Sequence, residues 1–283
     1  MATKTLSPDW SDYELIDAGG EKKLERWGKV ITIRPERQAY FQSGIPFEKW
    51  YEMAHLEFVP RGKQSGTWKT IRALPHSNKD WTINYKNLTF LLAPTKFKHI
   101  GLFPEQATNW DVIQQFLQEG DKMLNLFAYT GAASIVGRST GAEVTHVDAV
   151  KQLISWAKSN MEASHLDNIR WIHEDALKFA QRELKRGNQY HLIIMDPPAW
   201  GIGANKEKWK IEHKLEELIQ TASQLLVDKG LLILNTYSPK VTLEDIEYYA
   251  KKYFDETDCS ELWKNTSSGK ELFYGHLLKG KKR

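Results

Sequence analysis

From residue 121 onward the chain alternates between short apolar runs and stretches of helical periodicity, and that alternation leaves few folds open. Strand candidates fall at 122–126, 143–147, 169–172, 190–195 and 229–236. Between them, apolar positions recur with helical spacing near 131–140, 149–164, 175–185 and 211–226. A further helix is expected at 242–252, then two extended segments near 257–263 and 271–278. Strands separated by crossover helices run mostly parallel, in a sheet covered on both faces. The two final strands predict an antiparallel hairpin at the edge of that sheet. The fold class expected is therefore α/β.

The first third has a different rhythm. Tyr13–Asp17 and Val30–Ile33 are extended candidates, separated by Gly19-Gly20 and a charged segment. Trp81–Tyr85 and Leu88–Leu92 flank Lys86-Asn87 and predict a hairpin. From Glu105 the spacing turns helical, with Trp110, Ile113, Phe116 and Leu117 on one face. With Pro94 and Pro104 as punctuation, the expected division is a smaller β-rich region over 1–104 and an α/β domain over 105–283.

Composition narrows the class. At 283 residues the chain holds one large domain, or one domain with an appendage. No stretch approaches the roughly 18 apolar residues of a membrane span, and MATKTLSPDWSDYEL has no apolar core of signal-peptide length. A cytoplasmic location is the expectation. A single cysteine, Cys259, leaves no intramolecular disulfide framework and no cysteine-cluster zinc site. No metal is expected. Residues 1–110 carry 16 Lys+Arg against 12 Asp+Glu, which leaves 23 against 24 for the rest of the 39 and 36 in the chain. A net +4 in the first third is too small to distinguish a phosphate-binding surface from a solvated one. Seven of the eleven tryptophans precede residue 160. Packing in a small β-rich core accounts for most of them more simply than base stacking.

In an open α/β sheet, ligands bind beyond the carboxyl ends of the strands. Four loops of this chain fall there. Phe127–Gly131 follows the first strand, and the helix start behind Gly131 offers unpaired N–H groups to an anion. Asp148 closes the second strand, where a carboxylate can accept both hydroxyl protons of a ribose or cap the next helix. Asp175 follows the third strand and can either accept from an adenine amino group or cap a helix. Asp196-Pro197-Pro198-Ala199-Trp200 follows the fourth. Two prolines there give up ladder N–H groups and stiffen an extended backbone, which favours a role in positioning something. The order of these loops is that expected for an adenosine-containing cofactor. The first turn, LNLFAYTG, lacks the G-x-G-x-x-G of nicotinamide sites, and no G-x-x-x-x-G-K-[ST] or H-E-x-x-H occurs. Gly-Ile-Gly at 201–203 follows the fourth strand and leads into no apolar helix, so GIGANK reads as a flexible loop.

The set LNLFAYTG, VTHVDAV, HEDA and IIMDPPAW resembles the class I S-adenosylmethionine-dependent methyltransferases. The nearest branch is that of the bacterial large-subunit rRNA methyltransferases. KHIGLFPEQATNW at 98–110 is similar to the segment that precedes their catalytic fold, and the resemblance covers roughly residues 80–240. It implies a Rossmann-like methyltransferase sheet and S-adenosylmethionine as cofactor. Phe127, Tyr129, Thr130 and Gly131 would then surround the methionine part, Asp148 with Ala149 the ribose, and Asp175 with Ala176 the adenine. Asp196, also a candidate cofactor contact, would with Pro197, Pro198 and Trp200 present the acceptor. The chain departs from that pattern at Ala107, where many relatives carry an arginine; Gln106 or Asn109 is the substitute candidate for the cofactor carboxylate. A further departure is Ala199, at a position that is aromatic in many nitrogen-methylating enzymes.

The function this implies is methylation of a base nitrogen in RNA, rRNA first, by direct in-line transfer. A protein or small-molecule acceptor is the second reading, and a non-catalytic RNA- or cofactor-binding module the third. Carbon-5 methylation of cytosine is not expected, because the loops after the fourth and fifth strands contain no cysteine for addition to the ring.

Overall fold

The computed structural model describes residues 2–62, 65–75, 81–202 and 208–282. They form two units that are not contiguous in sequence: Leu6–Ala107 with Trp263–Tyr274, and Met1–Thr5 with Thr108–Leu262 and Gly275–Arg283. The expected region 1–104 thus supplies most of one unit, without its first residues and with the tip of the final hairpin added.

A short strand, β1 (Lys4–Leu6), comes first. The β-rich unit then carries β2 (Tyr13–Gly19), β3 (Lys22–Trp27), β4 (Val30–Pro35), the helix α1 (Phe47–Met53), β5 (Leu56–Arg61) and β6 (Ser65–Thr70). These five strands pair in chain order, with only β4–β5 parallel. The hairpin β7 (Thr82–Tyr85) and β8 (Leu88–Leu91) turns at Lys86, which takes φ 53°. Trp27, Trp50 and Trp81 are buried, as a core-filling role requires.

The charged stretch KKLERW, not read as a strand, is β3. Its charges are buried because they neutralise one another. Arg34 donates to both Glu25 oxygens, from Nε at 2.7 Å and Nη2 at 2.8 Å. Lys23 lies 3.3 Å from Glu25 and 3.6 Å from Glu36, and the Tyr13 hydroxyl donates to Glu25 at 2.8 Å. Burial pushes the Glu25 carboxyl up, but the Arg34 and Lys23 charges outweigh it and hold the group at about 2. Polarity alone reads such a segment as solvated. Its alternation, with Lys23, Glu25 and Trp27 on one side of the strand, is the signal that polarity hides.

In the second unit, α2 (Ala107–Phe116) buries Trp110 and Ile113 on one side, with Leu117 just beyond its end. The alternating elements follow as β9 (Lys122–Leu126), α3 (Ala132–Ser139), β10 (Glu143–Asp148), α4 (Lys151–Ala163), β11 (Ile169–His173), α5 (Ala176–Lys185) and β12 (Tyr190–Met195). Two three-residue strands, β13 (Trp200–Ile202) and β14 (Lys208–Lys210), pair antiparallel where a loop was expected over 201–206; residues 203–206 of that stretch lie outside the described ones. After a 3-10 turn come α6 (Leu215–Leu225), β15 (Leu226–Thr236), α7 (Leu243–Tyr253), β16 (Glu256–Asn265) and β17 (Glu271–Lys281).

The eight-stranded sheet has the order β1-β16-β17-β15-β12-β9-β10-β11. Its five strands from β15 to β11 are mutually parallel, and β17 joins β15 antiparallel. Outside the final hairpin lies β1, which no periodicity in three residues could announce. The strand order reverses between β9 and β12, the first and fourth strands of the alternation, and this switch point opens the crevice in which such sheets hold ligands. Below it, Leu124, Leu126, Ile193, Met195, Leu232 and Leu234 are among the strand residues of one continuous core. No helix of the described residues is long and apolar enough to cross a membrane.

Candidate active site

Strand β9 ends in a loop that the backbone strains. Phe127, Tyr129 and Gly131 all take left-handed conformations, with φ of 56°, 52° and 86°. Two non-glycine residues in that region cost energy that surrounding bonds must offset. The Tyr129 amide donates to Oδ2 of Asp148 at 2.8 Å, and the Ala128 amide to the Val147 carbonyl at 3.1 Å. The Asn160 side chain donates to the Thr130 carbonyl at 2.9 Å. At Gly131 a Cβ would lie 2.8 Å from the Ala157 Cβ, so glycine is required for packing against α4 as well as for φ. Gly131 is also the N-cap of α3 and gives no side-chain bond, so no capping side chain occupies the first N–H groups of that helix. A small anion such as a carboxylate suits that position.

Asp148 closes β10 and is nearly buried. Its second oxygen accepts from the Val150 amide at 2.8 Å, so one carboxylate ties together the turns after β9 and β10. Burial pushes its pKa up, against the two amide bonds. Ala149 beside it is exposed, and its carbonyl lies 3.1 Å from the His173 ring. Asp175 caps α5: its Oδ1 accepts from the Lys178 amide at 2.9 Å. Ala176 is part of the core.

Beyond β12, Asp196 and Pro198 are exposed, Pro197 is buried, and Trp200 is 48% exposed. Gln106 lies in a 3-10 turn, Pro104–Gln106, in the other unit. Asn109, on α2, is fully buried and donates to Oδ1 of Asn235, near the carboxyl end of β15, at 3.1 Å.

The structure adds one residue that sequence reading did not single out. Trp209, on β14, donates from Nε1 to the Pro198 carbonyl at 2.7 Å, and its ring packs on Phe127 with centroids 5.2 Å apart. It therefore joins the loop after β9 to the Asp-Pro-Pro loop after β12. A lone tryptophan in the charged run KEKWKIEH was the available signal, readable only once β14 is known to fold back along β13.

Behind the β9 loop, buried His146 lies 3.0 Å from the Ser134 hydroxyl, which in turn accepts from Asn125 at 2.9 Å. Its Nε2 has no hydrogen-bond partner among the described residues, and burial holds the ring down at about 3. A cleft of about 500 Å³, lined in part by Lys122, Glu143, Arg170 and Glu183, opens at the opposite, amino-terminal edge of the strands. It is separate from the loops described here. Among the described residues no group of three or more His, Cys, Asp or Glu could hold a metal.

The family model described as Conserved hypothetical protein 95 matches residues 106–263. A solved S-adenosylmethionine-dependent methyltransferase from Agrobacterium tumefaciens superposes with a TM-score of 0.92 at 32% identity, covering 99% of this chain and 94% of that one. The ribosomal RNA large subunit methyltransferase K of Neisseria meningitidis is 27% identical over 260 residues, 87% of this chain and 72% of that protein. A K/L enzyme of Syntrophotalea carbinolica is 29% identical over 188 residues, and the match spans only 26% of its length. The chain belongs to the Conserved hypothetical protein 95 family and, with its Agrobacterium relative, to the class I S-adenosylmethionine-dependent methyltransferases.

Proposed function

We propose that the chain transfers the methyl group of S-adenosylmethionine to a base nitrogen in RNA, with rRNA the first candidate, in the cytoplasm. One observation carries this reading: Asp148 and the strained Phe127–Gly131 loop share a carboxylate at the switch point, and Trp209 fastens that loop to Asp196-Pro197-Pro198. The residues suit the cofactor. The uncapped start of α3 fits its carboxylate, with Gln106 and Asn109 as further candidates, and Asp148 with Ala149 fits its ribose. One oxygen of Asp175 caps α5, and the other is the candidate for the adenine amino group, beside Ala176. The rRNA assignment draws on the names of the Neisseria and Syntrophotalea relatives.

The bound sulfonium supplies an already activated methyl group, and the protein's task is alignment and exclusion of water. In this reading Asp196 and the Pro197 carbonyl orient the acceptor nitrogen, and the exposed Trp200 ring stacks on a planar base. An acceptor in folded RNA is unstacked to reach that loop. The β-rich unit is the candidate for substrate recognition.

The test is incubation with methyl-labelled cofactor and separate fractions of cellular RNA, protein and small molecules. Label in RNA, at a nitrogen of a base, is the expected result. Label in protein or small molecules alone overturns the substrate, and no cofactor binding overturns the whole reading.

A further inference from the structure

We infer that Lys208 and Lys210, on the Trp200 face of the β13–β14 hairpin, hold the phosphates of the single-stranded RNA that flanks the target base stacked on Trp200. The inference rests on the RNA reading above.

The hairpin has two unlike faces. Its register pairs Trp200 with Lys210, Gly201 with Trp209 and Ile202 with Lys208. Directly opposed residues share a face and successive ones alternate, so Trp200, Lys208 and Lys210 lie on one side and Trp209 on the other. The Trp209 side is committed: it bonds Pro198 and packs on Phe127. That anchorage leaves the other side outward, where Trp200 is 48% exposed and Lys208 is exposed.

Lys214 and Lys240 each pair with a carboxylate, Glu217 at 2.8 Å and Glu212 at 3.2 Å. Lys208 and Lys210 have no carboxylate within 4.0 Å among the described residues. Two ammonium groups without a carboxylate partner among the described residues, beside an exposed indole and directly after the Asp-Pro-Pro loop, match the alternation of phosphate and base along a single strand. An acidic peptide would use the lysines but would leave the indole's stacking face without a planar partner. A small-molecule acceptor would need neither lysine.

The experiment is anisotropy of a labelled, mixed-sequence single-stranded oligoribonucleotide titrated with the full chain over a salt series. Calorimetric titration with S-adenosylmethionine runs alongside on every variant. For Lys208→Gln with Lys210→Gln we expect about tenfold weaker RNA binding. The slope of log affinity on log salt should fall by about 1.4, near 0.7 for each lost phosphate contact on a single strand. Trp200→Ala should weaken binding about fivefold or more with its salt slope unchanged. Cofactor affinity should stay within about twofold of wild type in all variants. If the wild type methylates and binds RNA but the double variant keeps affinity and slope, the hairpin assignment falls and the RNA reading survives. If the wild type neither binds nor methylates RNA, both fall. Loss of cofactor affinity in the double variant would assign the hairpin to the cofactor side and overturn the inference.

Discussion

The amide of Tyr129 and the carboxylate of Asp148 meet at 2.8 Å, so an acid at the end of one strand holds the left-handed loop that ends its neighbour. Asp148→Ala removes that bond, the Val150 bond and the proposed ribose contact together. Charge-assisted bonds of this kind contribute roughly 1.5–3 kcal/mol each, so S-adenosylmethionine affinity should fall at least about tenfold. Calorimetric titration measures it, and an unchanged affinity would remove Asp148 from the ribose site.

Trp209→Phe keeps a ring against Phe127 and deletes the bond to the Pro198 carbonyl. Turnover should fall about tenfold with cofactor affinity nearly constant, because the loss is one of loop alignment. Single-turnover kinetics on the RNA substrate decide the matter. A Phe variant as fast as wild type would mean that the indole bond positions nothing.

Asp196→Ala should lower turnover far more than cofactor affinity, since the proposed role is to hold the acceptor in the transition state. Equal losses in both measurements would make Asp196 only a cofactor contact.

Stability should fall on acidification because of His146. Its folded-state pKa is held at about 3 by burial, whereas an unfolded imidazole titrates near about 6.5. Below that value the unfolded chain takes up a proton that the folded chain cannot. Stability is therefore complete above about pH 6.5 and declines toward pH 3, by up to about 1.4 kcal/mol per unit. Denaturant titrations at two pH values should show a shallower decline for His146→Gln; an equal decline would assign the effect to other groups.

Cys259→Ser should retain activity, with the methyl group on nitrogen and not on carbon 5 of cytosine. Cys259 is half-buried on β16 and packs against the core, where burial, followed by the Glu247 and Asp258 charges, pushes its thiol up to about 11. A thiol so raised is a poor source of thiolate near neutral pH. Mass spectrometry of digested, labelled RNA checks both statements, and 5-methylcytosine that disappears in the Ser variant would refute them.

By itself the sequence determined the α/β unit, because strand and helix periods alternate from β9 to β12 without interruption and each period reports which face is buried. Strands at 122–126, 143–147, 169–172 and 190–195 correspond to β9, β10, β11 and β12, with ends shifted by at most one residue. The same order placed Asp148, Asp175 and Asp196 at strand ends. Tertiary structure alone decided what is non-local. The β3 charges became a strand only because Arg34 and Glu25, nine residues apart, neutralise each other in the interior. β1 exists only because β16, some 250 residues later, offers it an edge. Trp209 became part of the candidate site only when a hairpin carried its indole to Pro198 and Phe127. Local periodicity records burial along one segment; pairing of charges, edges and rings from distant segments is an energy of the folded chain, and no single segment carries it.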